Sequence, residues 1–142
     1  MKKTIKTLTL LILMFATLIS FASCKEEQSA DLWSEALYTE DTELGQGAKT
    51  LNVEVKADGK TVVFTVKTDK KTVGDALIEH NLISGDESEF GLYIKKVNGI
   101  TADYDADKSY WAFYIDGNYA LSGVDTTEID EGVTYSLEYT KE

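Results

Sequence analysis

One aromatic segment, residues 109–124, constrains the fold of this chain more than any other part. It reads Ser-Tyr-Trp-Ala-Phe-Tyr-Ile, then Asp-Gly, then Asn-Tyr-Ala-Leu-Ser-Gly-Val. Aromatic and β-branched residues favour a pleated, half-buried strand, and Asp-Gly supplies the positive φ angles that a tight hairpin turn needs. The segment therefore predicts a β-hairpin whose returning strand ends at Gly123.

Alternation along the first strand of this hairpin separates two faces. Trp111, Phe113 and Ile115 share one face and are expected in the core. Tyr110 and Tyr114 lie on the opposite face, where apolar rings carry hydroxyl groups. Tyrosine suits half-buried contacts, so this second face either covers the sheet or contacts a ligand.

The N-terminal 23 residues have the pattern of an export signal. Three lysines precede an uncharged apolar run of about fifteen residues, which is short for a permanent membrane span. The Phe-Ala-Ser-Cys segment that follows resembles the lipobox of bacterial lipoproteins, and its Cys24 is the only cysteine. We therefore expect a signal peptide over 1–23, lipidation of Cys24 and a location at the cell membrane, facing the extracytoplasmic side. The alternative is an ordinary secreted protein with a lone cysteine.

The charge of the chain restricts its partners. All 14 basic residues are lysines, against 25 acidic residues, which gives a net charge of −11. Loss of the three lysines of the signal leaves eleven, and a net charge of −14. Such a chain repels nucleic acid, whose phosphates require basic neutralisation. Membrane attachment is expected only through the lipid.

The remaining pattern predicts one acidic tether and one domain. Residues 24–49 have little periodicity, although Leu32, Trp33, Ala36 and Leu37 have helix-like spacing. A flexible tether and a short helix that docks Trp33 on the domain both stay open. Residues 50–142 predict a hairpin over 51–66, a helix from Thr72 to His80, and strands over 91–97, 109–115, 118–123 and 133–139. This order favours an α+β domain, with a mainly antiparallel sheet and one short helix packed on one face.

The sequence gives little indication of a catalytic site. The single histidine, His80, falls at a predicted helix end, and no nucleophile motif or glycine-rich phosphate loop accompanies it. We therefore expect that the protein is not an enzyme.

An acidic loop offers a candidate metal site. Asp103, Asp105 and Asp107 alternate as the first three oxygen ligands of a calcium loop do. Lys108 stands where that loop needs glycine, and Tyr114 stands where it needs a bidentate glutamate. Calcium binding and a solvated acidic turn both stay open.

Three blocks of the domain resemble a known family. They are residues 72–77, residues 91–99, and the Tyr-Trp, Asp-Gly, Gly-Val and Asp-Glu-Gly positions of 110–132. Over about 50–142 the chain is similar to the C-terminal β-domain of transcobalamin and intrinsic factor, and to bacterial lipoproteins of unknown function that carry this domain alone. The resemblance implies a β-grasp-like fold and, in the vertebrate proteins, a lid over cobalamin held against a large helical domain.

This resemblance implies a ligand site on the aromatic hairpin. On the resemblance, the matching residues are Trp111, Tyr119 and Leu121. The tyrosine face adds Tyr110 and Tyr114 to the expected ligand residues, with Tyr93 as a further neighbour. Cobalamin or a related corrinoid is the implied ligand, and a partner would supply the wall that the helical domain provides in the vertebrate proteins. The expected function is capture of a small molecule by a surface-displayed lipoprotein. The alternatives are a protein-interaction or adhesion module and a calcium-binding domain.

Overall fold

The computed structural model of this protein describes residues 31–142. The predicted signal peptide, Cys24 and the first part of the predicted tether lie outside the described residues. The helical segments are a 3-10 turn, Leu32–Glu35, helix α1, Val73–Glu79, and helix α2, Tyr104–Asp107. The strands are β1 Thr42–Gly45, β2 Lys49–Ala57, β3 Lys60–Thr68, β4 Ile83–Ser88, β5 Gly91–Val97, β6 Ile100–Thr101, β7 Ser109–Ile115, β8 Asn118–Tyr119 and β9 Thr134–Lys141. Within this part of the chain, no helix has the length and apolarity needed to cross a membrane.

The strands form two sheets. The larger has the order β1-β3-β2-β9-β7-β8, and the smaller has the order β4-β5-β6. Pairing is antiparallel except between β1 and β3 and between the central strands β2 and β9. A mainly antiparallel, mostly β structure with short helices fits the predicted α+β class.

The hairpin of β2 and β3 forms as its alternating pattern predicts. Leu51, Val53 and Val55 are buried along β2, and Phe64 is buried opposite Val53 on β3. The Asp58–Gly59 turn has positive φ at both residues, as a type I′ turn requires.

Helix α1 begins at the predicted cap and packs into the core. The Thr72 hydroxyl accepts a hydrogen bond from the Asp75 N–H at 3.2 Å. A Cβ added to Gly74 would lie 2.9 Å from the Asp125 backbone, and the Gly74 N–H donates to the Val124 carbonyl at 2.8 Å. This close approach ties α1 to the loop that follows the aromatic hairpin.

Ordered structure begins before the predicted domain boundary at residue 50. Trp33 is 7% exposed, and its indole Nε1 donates to the Ala57 carbonyl at 2.9 Å. Tyr38 exchanges two hydrogen bonds with the Asn98 side chain, and β1 pairs in parallel with β3. The described part of the predicted tether therefore packs on the domain, with Trp33 docked in the way that the second alternative anticipated.

Candidate functional site

The candidate site lies along the exposed edge of β7, between the two sheets. Strand β8 pairs with β7 only at Tyr114 and Ile115, and the Ala120 N–H then donates to the Phe113 carbonyl. Beyond that point the chain turns away, and β5 of the smaller sheet lies beside β7. The gap between β5 and the unpaired part of β7 forms a cleft.

This cleft, which we call the sheet cleft, has a volume of about 240 Å³. Three elements line it, namely β5 with Leu92, Tyr93 and Ile94, β7 with Tyr110, Trp111 and Phe113, and the segment after the turn with Tyr119, Ala120, Ser122, Gly123 and Val124. Trp111 and Phe113 of its lining are buried, whereas Tyr93, Tyr119 and Ser122 are exposed. Apolar walls with a few polar groups are typical of small-molecule sites.

The floor of the sheet cleft is fixed by core contacts. The Trp111 Nε1 donates to the Ile100 carbonyl at 3.2 Å, and its ring packs edge-on against Tyr139 at 5.5 Å between centroids. Phe113 stacks on Tyr135 at 6.1 Å. These core contacts therefore hold the side chains that form the floor of the cleft in place.

A second, more open depression of about 410 Å³ adjoins the cleft. We call it the tyrosine groove, because Tyr93, Tyr104, Tyr110, Tyr119 and Glu142 line it. Three of these tyrosines also line the sheet cleft, so the two depressions are continuous.

Glu142 controls the electrostatics of the tyrosine groove. The Tyr104 hydroxyl donates to Glu142 Oε2 at 2.6 Å, and this hydrogen bond to the carboxylate raises the pKa of Tyr104. Removal from water, followed by the charge of Glu142, raises the pKa of Tyr110. Both shifts favour the neutral, protonated phenol.

The structure brings together three of the five ligand residues expected from the sequence. Tyr110, Trp111 and Tyr119 line the sheet cleft. Tyr114 lines neither depression and instead packs edge-on against Tyr119 at 5.5 Å. Leu121 is fully exposed and also lines neither.

Two further tyrosines, which lie outside the aromatic hairpin, complete the site. Tyr93 comes from β5 and Tyr104 from α2. Their aromatic character is visible in the sequence, but only the placement of β5 and α2 beside β7 brings them to the groove.

The acidic loop forms the helical turn α2, and the structure does not assemble its aspartates as a calcium site. Asp103 caps the turn by accepting from the N–H groups of Asp105 and Ala106 at 3.1 and 3.2 Å. Asp107 accepts from the Ser109 hydroxyl and pairs with Lys141 at 3.1 Å. These contacts lower the pKa of Asp107, the Ser109 hydrogen bond most strongly.

In this structure the carboxylates of Asp103 and Asp107 bond to the local backbone and to neighbouring side chains, and the three carboxylates do not converge on one point. Lys108, which occupies the glycine position of a calcium loop, ends α2 in the left-handed conformation. Over residues 31–142, no group of three or more His, Cys, Asp or Glu side chains could hold a metal ion.

Comparisons with known proteins extend these observations. A family profile described as a domain of unknown function (DUF4430) matches residues 70–141. No curated protein matches the sequence. A crystal structure from Ruminococcus gnavus, of a protein provisionally described as metal binding, is 30% identical and has a TM-score of 0.63; the match covers 67% of this chain and 99% of that one.

Haptocorrin is a more distant structural relative. Its crystal structure in complex with Cbi is 18% identical to this chain, with a TM-score of 0.57. The match covers 69% of this chain but only 26% of haptocorrin. At this identity, the likeness shows the fold alone.

Proposed function

We propose that this chain, which belongs to the family described as a domain of unknown function (DUF4430), is a non-enzymatic protein that binds a small molecule in the sheet cleft. The cleft is the observation that carries the proposal. It joins a rigid apolar floor to a rim of hydroxyl groups on an otherwise acidic protein. An amphipathic ligand with a flat apolar face matches this arrangement.

We propose a corrinoid as that ligand. The fold shared with haptocorrin, whose crystal structure contains Cbi, supports this choice. The topology supports a β-grasp-like arrangement. Two antiparallel pairs, β2 with β3 and β7 with β9, meet through the parallel central pair β2 and β9, and α1 follows β3 in the chain.

The proposal includes a partner. The sheet cleft and the tyrosine groove are open on one side and shallow beside a corrin ring, so they cover one side of such a ligand. A second protein would then supply the opposite wall. We further propose that Cys24 carries a lipid, that the domain faces the extracytoplasmic side, and that the lipid makes its only membrane contact.

The experiment is titration of the purified protein with cyanocobalamin and with dicyanocobinamide, followed by corrin absorbance and by calorimetry. Tyr119 lines both depressions and is 63% exposed, so Tyr119→Ala removes ligand contact without opening the core. An aromatic contact of this kind contributes about 0.5–1.5 kcal/mol, so we expect about two- to tenfold weaker binding. Ile78→Ala is the matched control, because Ile78 is an exposed apolar residue outside both depressions.

Two results would contradict the proposal. Absence of corrinoid binding, with the partner-free protein and with cell-surface extract added, would exclude the corrinoid assignment. Corrinoid binding that Tyr119→Ala and Ile78→Ala leave equally unchanged would place the ligand away from the sheet cleft.

One observation favours the protein-interaction alternative. Phe90 is 92% exposed, and Leu121 is fully exposed. Their loops adjoin, because a Cβ added to Gly91 or Gly123 would lie 2.7 or 2.6 Å from Asp125 Oδ1. Exposed apolar side chains that stand together mark interaction surfaces. On this alternative, Phe90→Ser with Leu121→Ser abolishes complex formation with the partner but leaves direct corrinoid binding intact.

A further inference from the structure

The tyrosine groove has an unusual lining. It consists of four phenol rings and one carboxylate, from Tyr93, Tyr104, Tyr110, Tyr119 and Glu142. Tyr93, Tyr104 and Tyr119 are 44, 36 and 63% exposed, so their ring surfaces are open to solvent. A lining of aromatic rings without an aliphatic residue points to a ligand that aromatic rings attract and aliphatic side chains do not.

The physical property that distinguishes these rings is their charge distribution. An aromatic ring carries negative potential on its face, and a cation within about 6 Å of the ring centroid is attracted to it. The structure already contains one such contact, since the Lys108 ammonium lies 4.5 Å from the Tyr104 centroid. Lys108 occupies one face of this ring and is not among the residues that line the groove.

Glu142 adds a full negative charge to the same depression. Its carboxylate accepts the Tyr104 hydroxyl, and this hydrogen bond raises the pKa of Tyr104; removal from water, followed by the charge of Glu142, raises the pKa of Tyr110. A tyrosine phenol is neutral at physiological pH even at its ordinary pKa, so the groove combines neutral rings with one carboxylate. The net charge of −11 further favours a cationic ligand over an anionic one.

We propose that the tyrosine groove binds the quaternary ammonium group of a small organic cation. Metal ions need several oxygen ligands, and the groove has a single carboxylate. A primary ammonium group is best held by several hydrogen-bond acceptors, whereas the groove lining is mostly ring surface with one carboxylate. A quaternary ammonium group needs neither, because its methyl groups spread the positive charge over a surface that ring faces can cover.

This inference concerns the tyrosine groove, which shares Tyr93, Tyr110 and Tyr119 with the sheet cleft. Tyr104 and Glu142 line only the groove, whereas Trp111 and Phe113 line only the cleft. Substitutions at Tyr104 and Glu142 therefore change the groove and leave every residue that lines the sheet cleft in place, and their effect on corrinoid binding can be measured separately.

The test compares choline with its neutral isostere, 3,3-dimethylbutan-1-ol, in calorimetric titrations of the purified protein. We expect choline to bind at least tenfold more tightly, because shape is matched and only the charge differs. Tyr104→Leu, which removes one ring, should weaken choline binding by about three- to tenfold, in line with the strength of a single cation–π contact. Tyr104→Phe keeps the ring and should change it by less than about twofold, since only the hydroxyl is lost.

Glu142→Gln provides a second variant with little risk to the fold, because Glu142 is exposed. It should weaken choline binding and make the remaining affinity less dependent on salt. Thermal unfolding checks that each variant is folded. Equal affinity for choline and the isostere, or unchanged choline binding in both Tyr104→Leu and Glu142→Gln, would overturn the proposal. Corrinoid titration of the same variants separates that result from a failure of the function proposed above.

Discussion

Side chains on the two faces of β7 differ strongly in burial. Trp111 and Phe113 are at most 9% exposed and contact Tyr139 and Tyr135. Tyr114, on the opposite face, is only half-buried, and its ring contact is with the exposed Tyr119. Alternation in the sequence therefore assigned the core face correctly.

This difference in burial predicts that truncating a side chain on one face of β7 lowers stability more than truncating one on the other face. Trp111→Ala should lower the free energy of unfolding by about 3–5 kcal/mol, because it removes a large buried aromatic ring. Tyr114→Ala should lower it by about 1 kcal/mol, as changes at partly exposed positions do. Denaturant unfolding of both variants gives the comparison. Equal losses would mean that the face carrying Tyr114 is covered as completely as the core face.

Among the secondary structure elements, those with a local signal were predictable from the sequence. The β2–β3 hairpin, α1 and β7 each carry their own alternation, turn or cap. Strand β1 is four residues long, and its parallel pairing with β3 depends on tertiary contact. Strand β4 buries only Ile83, so it shows no alternation.

The residues of the candidate site likewise divide into those that a local sequence pattern predicts and those that it does not. Tyr110, Trp111 and Tyr119 belong to one hairpin, whose turn and strand pattern the sequence contains. Tyr93 and Tyr104 reach the site from β5 and α2, and no short-range pattern encodes the position of those elements beside β7. Leu121 lies outside both depressions, and the returning strand β8 ends at Tyr119, two residues earlier.

The segment before β2 gives a prediction at the level of elements. Trp33 lies within the core, donates to the Ala57 carbonyl and lies beneath the Lys60 ammonium, which is 4.7 Å from its ring centroid. Trp33→Ala should therefore lower the free energy of unfolding by about 3–5 kcal/mol. Leu37→Ala is the control from the same segment, since Leu37 is 57% exposed. Indistinguishable unfolding curves for the two variants would indicate that residues 31–45 act only as a tether.

For the whole molecule, the proposed lipid at Cys24 sets the location of the domain. Cys24→Ser removes the thiol that would carry the lipid, and about two or more acyl chains are needed for stable anchoring. We expect this variant to accumulate as precursor or to leave the membrane fraction. Detergent-phase partitioning of cell fractions measures this, with Ser23→Ala as the control. Partitioning and processing like those of the unchanged protein would contradict the lipid anchor.

The position of β9 in the larger sheet has a consequence for the time course of folding. Strand β9 lies between β2 and β7, with Val53 opposite Tyr135 on one side and Leu137 opposite Phe113 on the other. Strand β2 precedes β9 in the chain by about eighty residues, so this edge of β2 stays unpaired until residues 134–141 are available to pair with it. Contacts between distant parts of a chain also form slowly. The interval between these two strands is therefore when the protein is most exposed to misassembly, and a factor that shields the edge of β2 would act during that interval.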